Sequence, residues 1–162
     1  MTQLDTVSFR PACQRDIPAL CDLLEALFTL ESDFHPDRDK QARALQLLID
    51  KHAANPTRPA CVVWVAELAG KVIGMCSLQV LISTAEGGEV GLVEDVIIAA
   101  EHRQRGLGPQ MLHSLESWAH ERGLHRVQLL ADTHNHAALA FYERHGWQRM
   151  QMLAMRKRLT RD

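Results

Sequence analysis

The chain has no basic excess: 18 Lys and Arg stand against 20 Asp and Glu, a formal charge of −2. Binding to a phosphate backbone draws its affinity from such an excess, so no nucleic-acid partner is expected. No run approaches the roughly 18 uninterrupted apolar residues that a membrane helix requires, and the opening MTQLDTVSFR has no apolar core of signal-peptide length. A cytoplasmic protein without membrane contact is the expectation. Cys13, Cys21, Cys61 and Cys76 form no C-x-x-C pair and adjoin no Cys/His cluster, which argues for reduced, buried thiols and against a zinc site. His134 and His136 flank Asn135 without a third ligand in view, so no metal is expected. Internal repeats and Gly/Ser/Pro-rich linkers are also missing.

What is present is ordinary globular material. Over 162 residues, 46% hydrophobic and 23% charged, the composition suffices for one core, and a single domain over 1–162 is expected. A short alternating stretch, Val7 to Arg10, leads to Asp16 and Pro18, a helix-start signal. Ile17, Leu20, Leu23, Leu24, Leu27 and Phe28 then recur at helical spacing up to about Leu30. A second amphipathic helix runs through Leu45, Leu48 and Ile49. From Cys61 the pattern turns β-branched: CVVWVAEL, a turn at Ala69-Gly70-Lys71, then VIGMCSLQVLIS, an antiparallel hairpin. A strand from Glu89 to Ile98 precedes EHRQRGLG, a helix from Pro109 to Arg122, and a strand at Val127 to Leu130. A short helix from Asn135 to His145 and a closing strand over Trp147 to Leu159 complete the reading. Hairpins early and helix-separated strands late predict an α/β or α+β domain, a mixed sheet with helices on both faces.

Three segments carry chemistry. Arg103-Gln104-Arg105-Gly106-Leu107-Gly108-Pro109 leads from a strand into a helix, and its glycines let backbone N–H groups turn towards an anion at the positive helix end. A tight turn with solvated arginines is the competing explanation, and the spacing fits neither the G-x-x-x-x-G-K-[ST] nor the G-x-G-x-x-G fingerprint. Pro109 removes one N–H. Upstream, Glu94-Asp95 interrupts the apolar LVEDVII; adjacent carboxylates in a strand point to opposite faces unless a bulge re-aims one. A carboxylate desolvated there would serve as a base near neutral pH, and an ion pair with an arginine is the alternative. Downstream, Asn135 begins a helix that carries Tyr142, the one tyrosine of the chain, whose phenol could protonate a leaving thiolate; a helix cap and a packing aromatic are the plainer roles.

Together these segments resemble the GNAT superfamily of acyl-CoA N-acyltransferases: HRQRGLGPQML is similar to its R/Q-x-x-G-x-G/A loop, with LVEDVII before it and N-x-x-A-x-x-F-Y-x-x-x-G-W after it. The E-D pair and the N…FY element look similar to the diamine and glucosamine-phosphate acetyltransferase branches. The resemblance implies a central, mostly antiparallel mixed sheet of six to seven strands and direct transfer of an acetyl group from acetyl-CoA to a primary amine of a small molecule. It implies that Val96, Ile97 and Ile98 offer backbone groups to the pantetheine arm in a strand splayed from its neighbour. Gln104, Gly106, Leu107, Gly108 and Pro109 would surround the pyrophosphate, with Arg103 and Arg105 adding charge and Asn135 contacting pantetheine. Glu94 would be the base, Asp95 its helper or substitute, and Tyr142 the acid. Acetylation of a protein lysine or N-terminus, and a non-catalytic acyl-CoA-binding module, stand as alternatives. Glu31, Asp33, Asp37, Glu86 and Glu89 would give a cationic amine an anionic approach, or are ordinary solvated charge. Phe28, Phe34 and Trp64 read as core before they read as a pocket. Homodimers are common among such folds, and no interface is readable here.

Overall fold

The computed structural model describes residues 6–31 and 33–159. The β-branched runs form a five-stranded sheet in the order β1-β2-β3-β4-β5: β1 Ser8–Pro11, β2 Cys61–Leu68, β3 Lys71–Ser83, β4 Gly88–Ile98 and β5 Val127–Leu129. The first three pairings are antiparallel and β5 joins β4 in parallel, the mixed, mostly antiparallel arrangement expected. Ala69 and Gly70 both have positive φ (49° and 76°), the two-residue hairpin turn whose twist matches that of the strands it joins.

Helices cover both faces, and β2 shows how. Val63 and Val65 pack with Leu20, Leu24, Leu45 and Ile49, residues of α1 (Ile17–Leu30) and α2 (Arg38–Ala54). The alternate residue Trp64 turns to the other face, where its indole N–H donates to Ser114 Oγ at 3.2 Å and its ring meets Trp118 at 6.2 Å. Both partners lie on α3, Leu107–Glu121. Trp64 is thus core, 8% exposed.

At the first helix Asp16 does not cap α1 through its side chain. Its Oδ2 accepts instead from Cys13 N–H (2.8 Å) and from Arg10 (2.7 Å), and Arg10 also holds Glu67 of β2. Burial alone would raise the Asp16 carboxyl, but the Arg10 guanidinium and the Cys13 donors outweigh it and hold it down at about 2.

The chain divides into a first unit through Leu129 and a second from Leu130. The second contains α4, His136–Arg144. Two expectations need correction. Five strands are present among the described residues rather than six to seven, and Trp147 to Leu159 contains no strand there. The alternation fails in that stretch: Met152 and Leu153 are adjacent and Arg156-Lys157-Arg158 are consecutive charges, so neither face of an extended segment would be consistently apolar. Met150, Met152, Leu153 and Met155 are exposed.

Candidate active site

The paired carboxylates lie on a bulge. Met75 of β3 faces Ile97 and Ser77 faces Glu94, so Cys76 alone stands opposite two residues, Asp95 and Val96. One extra residue on β4 is the device that re-aims a side chain within a strand. Asp95 takes up the local strain with φ 56°, a left-handed conformation that Asp tolerates better than most residues.

Glu94 and Asp95 consequently meet different surroundings. Glu94 is exposed, and its Oε2 accepts from Gln79 Nε2 at 3.0 Å. Asp95 is half-buried, and its carboxyl is pushed up to about 6, chiefly by burial and further by the negative charges of Glu94 and Glu31; the Ser77 hydroxyl, 3.4 Å from Oδ2, opposes the rise. Glu31 follows the last residue of α1. The bulge thus sets an exposed carboxylate beside one that changes charge close to neutral pH, the range in which a general base works efficiently.

Beyond the carboxylates, β4 loses one neighbour. β5 pairs with Gly91, Leu92 and Val93 and ends at Leu129, whereas β4 continues to Ile98. No described strand pairs with Glu94 to Ile98 on that side, so this edge of Val96, Ile97 and Ile98 can receive an extended ligand by main-chain hydrogen bonds. The following loop carries Gln104 and Gly106 at positive φ (61° and 73°), and Gly106 caps α3. The helix starts at Leu107, two residues earlier than expected, which puts Pro109 in its third position. The N–H groups of Leu107 and Gly108 have no carbonyl one turn back to bond, and Pro109 has none to offer. Gln104 and Arg105 are exposed. Arg103 is not a free charge: its Nε donates to the carbonyl of Ile98 at 2.8 Å, which ties the loop to the end of β4.

Asn135 and Tyr142 belong to the second unit. Asn135 Oδ1 accepts from Ala138 N–H at 3.0 Å, a helix cap, and Tyr142 packs edge-on to Phe141 (5.2 Å) and Trp147 (5.8 Å). Of the acidic residues considered for an acceptor approach, Asp37 binds Lys40 at 2.8 Å, Glu86 binds Arg126 at 3.1 Å and Glu89 binds Arg58 at 2.9 Å; only Glu31 acts on Asp95. Phe28 and Phe34 pack together at 5.4 Å. Sequence reasoning passed over Ser77 and Gln79, although two polar residues inside an otherwise apolar strand were the available signal.

Comparison with known proteins decides the family: residues 18–147 match the model of the acetyltransferase (GNAT) family. The chain belongs to the GNAT family. A curated relative, a probable N-acetyltransferase camello of Xenopus tropicalis, is 30% identical over 125 residues, covering 77% of this chain and 55% of the relative. The chain spans about half the length of the curated relatives it matches. Among solved structures, a possible acetyltransferase from Clostridium difficile 630 superposes with a TM-score of 0.82 at 15% identity, covering 96% of this chain and 99% of that one. A predicted acetyltransferase with acetyl-CoA from Clostridium acetobutylicum gives a TM-score of 0.72 at 19% identity, covering 94% and 96%. These likenesses establish the GNAT fold.

Proposed function

We propose that the chain is an acetyl-CoA-dependent N-acetyltransferase that acetylates a primary amine of a small molecule within a ternary complex. The observation that carries this reading is the Asp95 carboxyl, desolvated on a strand bulge and titrating near 6, where the backbone edge of β4 becomes open. A primary alkylamine has a pKa near 10 and is mostly protonated at neutral pH, so nitrogen must lose a proton before it attacks. A carboxylate ionised above about pH 6 can take it.

Acetyl-CoA, when bound, supplies the acetyl thioester. The chain's own residues fit such a guest: Val96 to Ile98 present main-chain groups to an amide-bearing arm, and Gln104 to Gly108 present N–H groups to a diphosphate. Arg103 fixes the loop against Ile98, so its role is positional, and the exposed Arg105 contributes charge. Asp95 is the proton acceptor. Glu94, wetter and held by Gln79, steadies the cationic amine together with Glu31. This assignment exchanges the parts the resemblance implied for the two carboxylates, because the raised pKa falls on Asp95. Tyr142 is the proton donor to the departing thiolate, and Asn135 contacts the pantetheine arm.

The family match spans both units, which supports one transferase domain over 1–162. Four unpaired thiols suit a cytoplasmic setting. A cationic acceptor suits the diamine branch better than the glucosamine-phosphate branch, because Glu31, Glu94 and Asp95 would repel a phosphate. The test is coenzyme A release from acetyl-CoA across diamines, amino acids, aminoglycosides and peptides. Release with small polycationic amines is expected; release with peptides alone would transfer the reading to a protein acceptor.

A further inference from the structure

Ser77 places one buried hydroxyl between two acceptors. It is 1% exposed, and its Oγ stands 3.4 Å from the Glu94 carbonyl and 3.4 Å from Asp95 Oδ2. A hydroxyl has a single proton to donate, so at any instant it serves one of them. We infer that Ser77 is a positioning residue for acetyl transfer, a rotor that donates to Asp95 while that carboxyl is charged and to the Glu94 carbonyl once Asp95 has taken the proton of the amine. This rests on the reading of Asp95 as base.

The physical reason lies in what surrounds Asp95. The titratable groups facing it are Glu94 on its own strand and Glu31 after α1, both of which disfavour its charge, and the thiol of Cys76 on β3, which burial and the Asp95 charge keep protonated. The Ser77 hydroxyl opposes them. By engaging Oδ2 it leaves Oδ1 as the oxygen that receives the amine's proton, and it fixes the plane of the carboxyl. When Oδ1 is protonated the carboxyl becomes a weaker acceptor, and the hydroxyl proton swings to the Glu94 carbonyl, keeping the bulged backbone satisfied. A buried serine in an apolar strand would otherwise have little reason to stand opposite the only irregularity in the β3–β4 ladder.

The test is a 13C-carboxyl NMR titration of Asp95 beside a kcat/KM–pH profile, in the wild type and in Ser77→Ala. The midpoint and the acid limb are both expected to move up by about one pH unit, as befits loss of a donor to a charged group, with coenzyme A binding unchanged by calorimetry. Ser77→Cys, a weaker donor of similar size, is expected to move both by a smaller amount, and it carries the comparison if Ser77→Ala does not fold. An unmoved Asp95 midpoint overturns the rotor while leaving the base assignment intact. A midpoint that moves while the acid limb stays put overturns the base assignment and with it the positioning role.

Discussion

Asp95 combines a stability cost with the proposed role of base. Its folded pKa of about 6 lies above the ordinary 3.8, so its favourable contribution is complete below 3.8 and is lost as pH rises through 6. Asp95→Asn removes the charge and tolerates the left-handed backbone. Urea unfolding should therefore find the variant equal to wild type near about pH 4, and more stable by up to roughly 3 kcal/mol near about pH 7.5. Equal stabilities at both values would contradict the desolvated carboxyl. If Tyr142 is the proton donor proposed above, Tyr142→Phe should lower kcat at least about tenfold with coenzyme A affinity nearly unchanged. At this scale much was legible, since the adjacency of Glu94 and Asp95 already required either opposed faces or a bulge. Which carboxyl is desolvated was not legible, because the register between Met75 and Ser77 that makes the bulge is a property of two strands.

At the scale of elements, two devices hold the first unit in shape. Arg10 joins β1, the turn at Asp16 and Glu67 of β2. Its removal leaves Asp16, 5% exposed, with a buried charge and only the distant, exposed Arg15 guanidinium (4.0 Å) beside it, so Arg10→Met should cost about 3 kcal/mol in urea unfolding at neutral pH. Asp16 is depressed to about 2, so its contribution is present above 3.8 and lost as pH falls through 2; the penalty should shrink in strong acid. Gly106 is the second device. A Cβ there would come no closer than 3.7 Å to any heavy atom, so the cost of Gly106→Ala lies in its φ of 73°, about 1–2 kcal/mol. If the loop grips a diphosphate through that conformation, calorimetry should show coenzyme A binding weakened roughly tenfold, the equivalent of about 1.4 kcal/mol. The element order through β5 followed from hydrophobic period and turn residues. α3 starts two residues before the position Pro109 predicts, because Gly106 at φ 73° has already turned the chain.

For the molecule as a whole, composition narrowed the field and the order of three weak motifs identified it. No single motif sufficed: the glycine loop fits no nucleotide fingerprint, and an Asn cap or an aromatic pair occurs in many helices. The missing last strand shows the limit of reading β-propensity one residue at a time, since Met- and Leu-rich segments without alternation name no face to bury. What the whole fold adds is an open edge of β4 followed by a helix start, so that the main-chain groups proposed for an extended arm and for its phosphates fall on one continuous stretch, Glu94 to Gly108. The central claim is that a thioester held there meets an amine whose proton goes to Asp95. The direct measurement is amine-dependent release of coenzyme A from acetyl-CoA, wild type and Asp95→Asn side by side at neutral pH. Turnover is expected in the wild type and a loss of at least about a hundredfold in the variant, the scale on which a positioned base acts; undiminished release by Asp95→Asn would remove Asp95 from the role of base.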